Sequence, residues 1–260
     1  MQNRPVKQMS LSGHYPPVAR APRVKAIPVL TCGCLGIFGV CLVVAVIGVV
    51  VLLPNLPGIA AQVVGFTPNG SVESVFVNPP PPAPELQNPV VVDQAIVNLG
   101  VYGEQAINNA PTLYNFTIGT AAGVEAASIT FTESGLMDLC RQRTTICLNQ
   151  NPTYQNVAVD LRPGGLIAYA DATLPQLGGL TQRLGVVLQV DATGRRLVFV
   201  GLDINGSLFS NPPVELSTLI AQLEQDANTI LTGLSVEMSG SQYSLSRITI
   251  DDTMAVLFLQ

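Results

Sequence analysis

The sequence predicts an α+β fold: a curved antiparallel β-meander packed on one long and one short helix, preceded by a single transmembrane helix. Three patterns support this prediction. Short apolar–polar alternations separated by Gly- and Asp-containing turns indicate β-hairpins. An apolar repeat of 3.6 residues over 214–234 indicates a long amphipathic helix. Residues 35–53 are nineteen residues without charge, amide or proline, which is long enough for a membrane-spanning helix.

The charge distribution predicts the orientation of that span. Residues 1–29 contain five basic residues and no acid, whereas the rest of the chain contains seven Arg and all seventeen acids. Because basic residues beside a span stay in the cytoplasm, the chain is predicted to be a signal-anchored, single-pass cell-membrane protein. Its N-terminus is then cytoplasmic and its C-terminal domain extracytoplasmic. Cleavage after Ala60 and lipidation at Cys32 or Cys34 are alternatives that these patterns leave open.

Four regions follow from this organisation. Nine prolines lie between Pro54 and Pro89, and such a run favours an extended, semi-rigid spacer. The predicted regions are a basic cytoplasmic tail (1–29), a transmembrane helix (30–53), a Pro-rich extracytoplasmic linker (54–89) and an extracytoplasmic α+β domain (90–260).

Within 90–260 the elements follow one another without an internal repeat. The first strands are predicted at 90–99, 113–118 and 127–131, and the last runs into a short helix for which Thr132 is a suitable N-cap. Asn211 can cap the long helix. Three hairpins complete the meander, and they pair 156–161 with 166–172, 185–191 with 196–204, and 243–250 with 254–260. Strict alternation predicts that Val198 and Val200 lie on the same face as Leu202.

Cys140 and Cys147 are the two cysteines of the C-terminal domain. An oxidising compartment favours a disulfide between them, and two buried free thiols are the alternative. The bridge would close a short loop and add about 2.5 kcal/mol of stability by the chain-entropy relation. Two thiolates without a His partner do not have the spacing of a zinc site, so no metal is expected.

The composition of the domain argues against most catalysis. All Lys and His residues lie before residue 26, so neither a Ser-His-Asp triad nor a Ser-Lys dyad is available after it. Glu133 with Asp138 and Asp251 with Asp252 are nominal carboxylate pairs, which we interpret as helix-terminal and turn residues. The segment 203–207 resembles the opening of a calcium loop but lacks its terminal Glu, which favours a turn. We therefore expect a non-enzymatic domain without a cofactor. Its net acidic charge does not provide the basic surface that nucleic-acid binding requires.

Several segments resemble the anchored bacterial LmeA-like and YpmS-like proteins, which are related to tubular lipid-binding (TULIP-like) domains. The resemblance lies in "ITFTESGLMDLC", "VAVDLRPGGLIAYADATL", "VLQVDATGRRLVFVGLDINGSLFSNPPVELSTLI" and "YSLSRITIDDTMAVLFL", and it covers 112–260. Met137 departs from the Asn that is usual in the family, and the cysteine pair is not part of its pattern. The resemblance implies a half-rolled sheet around a long helix, with an apolar groove for acyl chains, and no catalytic residue.

The predicted function is the binding of a lipid or other amphiphile in an apolar groove between the sheet and the long helix. The same apolar side chains would otherwise form a dry core. The alternative is a non-enzymatic structural or protein-interaction domain of the envelope that has no ligand. The predicted lining residues are Val186, Val198, Val200, Leu216, Leu219, Ile220, Leu223, Ile230 and Leu231.

Overall fold

The computed structural model describes residues 68–98, 103–143, 146–148, 154–174, 180–211 and 214–260. These residues form fourteen β-strands, two α-helices and two 3-10 helices. The helices are η1 (Val72–Phe76), α1 (Glu133–Arg143), η2 (Ile146–Leu148) and α2 (Val214–Gly233). The first seven strands are β1 (Gly70–Ser71), β2 (Gln87–Val91), β3 (Gln94–Asn98), β4 (Glu104–Asn108), β5 (Tyr114–Ala121), β6 (Val124–Thr132) and β7 (Tyr154–Arg162). The others are β8 (Gly165–Leu174), β9 (Leu180–Val190), β10 (Leu197–Ile204), β11 (Ser207–Phe209), β12 (Ser235–Met238), β13 (Ser241–Ile250) and β14 (Met254–Leu259).

The strands form two antiparallel sheets. Sheet 1 has six strands in the order β1-β11-β10-β9-β8-β7, and sheet 2 has eight in the order β2-β5-β6-β14-β13-β12-β3-β4. The three predicted hairpins are present as β7–β8, β9–β10 and β13–β14. The predicted strand over 90–99 is instead two strands, because β2 pairs with β5 whereas β3 pairs with β12 and β4.

The inner faces of the two sheets share one hydrophobic core. Leu166 and Leu188 of sheet 1 lie in the same cluster of buried side chains as Phe116, Ile129 and Leu257 of sheet 2. Backbone hydrogen bonds also join the sheets where the hairpin turns meet. The N–H of Gly164 donates to the carbonyl of Ile250 at 2.8 Å. Each sheet therefore covers the other, and burial of these apolar side chains is the main stabilising contribution.

Both α-helices hydrogen-bond to strand edges of sheet 1. The Glu133 carboxylate of α1 accepts the backbone N–H of Leu161 in β7 at 2.8 Å. In α2, Glu224 accepts the N–H of Phe199, and Asn228 bonds to both backbone groups of Leu197. These side chains satisfy backbone groups that an edge strand would otherwise leave open.

The α+β fold prediction is therefore wrong, because the described part of the chain is mostly β. The sequence interpretation missed β4, β11 and β12, which have five residues or fewer, and it lacked the strands needed for a second sheet. With one sheet, a long helix was needed to cover the apolar face. With two sheets the faces cover each other, and α1 and α2 supply sheet edges and part of the core.

The predicted transmembrane helix, 30–53, and the basic tail, 1–29, lie outside the described residues. Among the residues that the structure describes, no helix has both the length and the apolar character needed to cross a membrane. The predictions of a transmembrane helix, a signal anchor and a single-pass cell-membrane location are therefore wrong for this part of the chain.

Part of the proline-rich stretch that was predicted as a linker lies on the folded domain. Strand β1 pairs with β11, and a Cβ built on Gly164 would approach Pro79 Cα and Pro80 Cδ to 2.8 Å. Further along, the N–H of Ala83 donates to Thr249 Oγ1 at 2.9 Å. The stretch thus passes from the outer face of sheet 1 to the outer face of sheet 2.

Candidate functional site

The nine predicted lining residues do not share one surface. Val186, Ile230 and Leu231 are buried in the common core. The outer face of sheet 1 instead carries Val198 and Val200. Four further residues lie on α2, but their side chains are outside the described ones: Leu216, Leu219, Ile220 and Leu223.

A β-bulge explains why the two valines of β10 face outward. Val198 pairs with Gln189 and Phe199 pairs with Leu188, but the register shifts so that Gly201 pairs with Val187. Val200 is the additional residue, and it packs on the outer apolar cluster. Because side chains alternate between faces, one inserted residue reverses the face of everything beyond it. Leu202 consequently packs on the inner core, on the face opposite to Val200.

The outer face of sheet 1 also holds a cavity of about 360 Å³, called the outer pocket below. This volume lies near the lower end of the range for small-molecule sites. The pocket spans four strands and is walled by the start of η1. The described residues that line it are Ser71, Val72, Glu73, Asp160, Tyr169, Arg183, Asp203, Asn205 and Gly206.

Asp203 and Tyr169 form the polar floor of the outer pocket. Asp203 is 4 % exposed and is the one charged residue among those described that is buried. Its carboxylate accepts the Tyr169 hydroxyl and the Gly206 N–H, each at 2.7 Å. The Tyr169 ring lies against Gly185, where a Cβ would come within 2.7 Å of it. The absence of a side chain at Gly185 thus permits this ring position.

The walls of the pocket carry opposite charges. The Arg183 guanidinium lies 4.4 Å from the centroid of the Tyr169 ring, which is a cation–π contact. Within the described residues Arg183 forms no ion pair with a carboxylate. On the other side, Arg162 bridges Asp160 at 2.9 Å and Glu73 at 3.4 Å. Arg162 therefore holds the two carboxylates of the acidic wall in place.

These contacts alter the ionisation of two groups. Burial raises the pKa of Tyr169 far above its usual value, and the hydrogen bond to Asp203 raises it further. The hydrogen bond to Asp160 is the largest cause that raises the pKa of Arg162, although burial opposes it. Tyr169 therefore stays protonated and donates to Asp203 at any physiological pH.

Helix η1 positions the acidic wall and the apolar surface beside it. Its N-cap is Ser71, whose hydroxyl accepts the N–H of Glu73 at 3.3 Å. Phe76 lies over Gly165, where an added Cβ would be 2.7 Å from its ring. Beyond the pocket, four partly or largely exposed valines lie within η1, directly after it, or on the outer face of β10. This valine strip comprises Val75, Val77, Val198 and Val200.

A second cavity, of about 660 Å³, lies along α2. None of the predicted residues whose side chains the structure describes lines it, although the prediction placed a groove beside this helix. Its lining is mostly polar and includes Glu224 and Asn228, whose side chains are already bonded to β10. The described residues that line it are Arg196, Ala221, Glu224, Gln225, Asn228, Thr229, Thr232 and Gly233.

The structure assigns the nominal carboxylate pairs to local structure. Glu133 bonds to the backbone of β7, and Asp138 accepts the Gln142 amide at 2.6 Å. Asp251 accepts the N–H groups of Thr253 and Met254 in the β13–β14 turn. Burial alone would raise the pKa of Asp251, but these hydrogen bonds lower it overall. The segment 203–207 forms the β10–β11 turn, with positive φ at Asn205 and Gly206.

The predicted disulfide between Cys140 and Cys147 is confirmed, with a Cα–Cα distance of 5.8 Å. It joins α1 to η2, and both cysteines are buried in the common core. Thr132 is also confirmed as a helix N-cap, since its hydroxyl accepts the Gly135 N–H at 3.1 Å.

The sequence interpretation missed the residues that form the outer pocket. The sequence pattern that could have indicated them is alternation. Tyr169, Arg183 and Asp203 occupy outward positions of strands whose inward positions are apolar. Three comparisons give no further information, since no protein-family model, curated protein or solved structure matches this chain. The resemblance to LmeA-like and YpmS-like proteins therefore stays a prediction.

Proposed function

We propose that this chain contains a non-enzymatic domain that binds an amphiphile on the outer face of sheet 1. The head group would occupy the outer pocket, and the tail would lie along the valine strip beside η1. The observation that carries the proposal is a charged pocket on the same face of sheet 1 as the partly buried Val75 and Val200, which pack on the outer apolar cluster. Small-molecule sites commonly combine an apolar surface with a few convergent polar groups.

The exposed part of the strip supports a tail site. Val77 is 69 % exposed and Val198 is 38 % exposed, while Val75 and Val200 pack partly on the buried cluster below them. Covering this surface with an alkyl chain would contribute about 25 cal/mol for each Å² removed from water. The valines therefore offer affinity, whereas the pocket offers orientation.

The hydrogen bonding of the pocket favours binding rather than catalysis. Both oxygens of Asp203 accept protein hydrogen bonds, and Asp160 is paired with Arg162. A general acid or base needs a proton that it can exchange near the working pH. Carboxylates held in this way serve better as fixed charges that orient a ligand.

The proposed ligand class is the one that the sequence predicted, but the proposed binding site lies elsewhere in the fold. Two of the nine predicted residues, Val198 and Val200, belong to the proposed site. The family resemblance also implies acyl-chain binding, although it places the chain between the sheet and the long helix.

Calorimetric titration of the full chain with octylphosphocholine, below its critical micelle concentration, tests this proposal. The double variant Val198→Ser/Val200→Ser should bind about tenfold more weakly, because about 1.4 kcal/mol of apolar contact is lost. The matched control is Val124→Ser, which changes a valine that is 60 % exposed at the start of β6. Absence of binding to the unmodified chain, or an equal loss in the control, would contradict the proposal and favour a ligand-free interaction domain.

A further inference from the structure

The two walls of the outer pocket differ in charge. One side carries the Arg183 guanidinium, which stacks on Tyr169 and forms no ion pair within the described residues. The opposite side carries the carboxylates of Glu73 and Asp160, and the Asp203 carboxylate lies in the floor. A ligand in this cavity would therefore meet one positive and one negative surface.

From this arrangement we infer that the outer pocket selects a zwitterionic head group. The anionic part of the head group would lie against Arg183, and its cationic part against Glu73 and Asp160. This inference rests on the proposed function, because it assumes that the outer pocket holds the head group.

The charges disfavour the other two kinds of head group. A purely anionic head group would pair with Arg183 but would lie beside three carboxylates, of which Arg162 neutralises only part. A purely cationic head group would pair with the acidic wall but would be repelled by Arg183. A charged group that faces a like charge in a pocket binds more weakly than one that faces a complementary charge, so the repulsion gives specificity.

The stacking of Arg183 also determines where the cation lies. A quaternary ammonium group often binds over an aromatic face. Here the face of Tyr169 is already covered by Arg183, at 4.4 Å from the ring centroid. The carboxylates of Glu73 and Asp160 are then the groups left to bind a cation. Glu73 is also accessible, since its side chain is 71 % exposed.

Three octyl amphiphiles with one tail and different head groups test the inference: octylphosphocholine, octyl sulfate and octyltrimethylammonium. Their affinities for the full chain would be measured by calorimetry below each critical micelle concentration. We expect octylphosphocholine to bind about fivefold to tenfold more tightly than either of the others. The urea unfolding midpoint of each variant would be measured in parallel, so that only folded protein is compared.

Two variants should change the preference in opposite directions. Arg183→Gln should weaken the binding of octylphosphocholine and strengthen that of octyltrimethylammonium. Glu73→Gln should also weaken the binding of octylphosphocholine, but it should strengthen that of octyl sulfate. Arg141→Gln and Glu237→Gln change exposed charges on α1 and β12, outside the pocket, and should leave all three affinities within about twofold.

The outcomes separate this inference from the proposed function. If none of the three amphiphiles binds, both the function and the inference are contradicted. Equal binding of all three, or tightest binding of octyl sulfate, would overturn the zwitterion inference and leave amphiphile binding intact. If phosphocholine without a tail binds as tightly as octylphosphocholine, the charge selection holds but the valine strip has no role.

Discussion

The side-chain amide of Asn228 in α2 pairs with both backbone groups of Leu197 in β10. Its Oδ1 accepts the Leu197 N–H at 3.0 Å, and its Nδ2 donates to the Leu197 carbonyl at 2.8 Å. One turn earlier, Glu224 accepts the N–H of Phe199 at 3.2 Å. Because residues four apart share one side of a helix, these two side chains take the place of a neighbouring strand.

Replacing Asn228 with Ala should lower the free energy of unfolding by about 2–3 kcal/mol. Leu197 is buried, and its N–H and carbonyl would both lose their side-chain partner. Urea denaturation would measure the change. Thr229→Ala is the matched control, since Thr229 is exposed and bonds only to its own helix at Gln225, and it should change stability by less than about 0.5 kcal/mol. Equal urea midpoints for Asn228→Ala and the unmodified chain would refute the claim that Asn228 takes the place of a neighbouring strand.

Gly135 should not tolerate a side chain, although it lies in a helix. A Cβ at this position would collide with the Leu113 carbonyl in the β4–β5 connection. We expect Gly135→Ala to cost about 2–3 kcal/mol through overpacking. Gly233→Ala provides the comparison, because it ends α2 with open space around its Cβ position and should be neutral or stabilising by up to about 1 kcal/mol. A stabilising Gly135→Ala would show that α1 does not approach Leu113 so closely.

Loss of the disulfide should destabilise the domain by about 2.5 kcal/mol, as the chain-entropy relation gives for so short a loop. The variant Cys140→Ala/Cys147→Ala avoids placing a polar group in the core. Its urea midpoint should match that of the unmodified chain in reductant. An unmodified chain whose midpoint does not respond to reductant would be inconsistent with a stabilising bridge.

Tyr169 should make stability depend on pH in the alkaline range. In the unfolded chain the hydroxyl loses its proton near the ordinary pKa of 10.0, whereas in the folded domain its pKa is raised. The stabilisation is thus complete below about pH 10 and declines as the pH rises further, because the unfolded state releases the proton first. Tyr169→Phe should flatten that decline and cost about 1–2 kcal/mol near neutral pH, since Asp203 loses a donor.

Urea denaturation between about pH 7 and about pH 11 would measure both effects of Tyr169→Phe. Asp203→Asn gives an independent check, because removing the negative charge should lower the pKa of Tyr169. An absorbance titration would then show tyrosinate forming at a lower pH. An unchanged transition would argue against the pairing of these two residues.

Local patterns predicted those parts of the fold that depend on neighbouring residues. Alternation was sufficient to predict the β7–β8 and β13–β14 hairpins. The apolar repeat predicted α2, and the spacing of the two cysteines predicted the disulfide. The second sheet was not predictable in this way, because short polar strands such as β4 are stabilised by pairing with distant segments. Sequence patterns do not show such pairing.

The candidate site was only partly predictable for the same reason. A single bulge beside Val200 reverses the faces of β10, and it separates Val198 and Val200 from Val186. The outer pocket also depends on contacts over long sequence distances, such as that between Glu73 and Arg162. No local pattern places these residues together.

Photo-crosslinking with an octylphosphocholine analogue that carries a diazirine at the end of its tail tests the central claim most directly. Peptide mass spectrometry of the crosslinked full chain would locate the tail. The proposed site predicts adducts around 75–77 and 198–200, reduced in Val198→Ser/Val200→Ser. Adducts on Ile230 and Leu231 would contradict an amphiphile site on the outer face of sheet 1. So would a yield of adducts no higher than the free diazirine reagent gives.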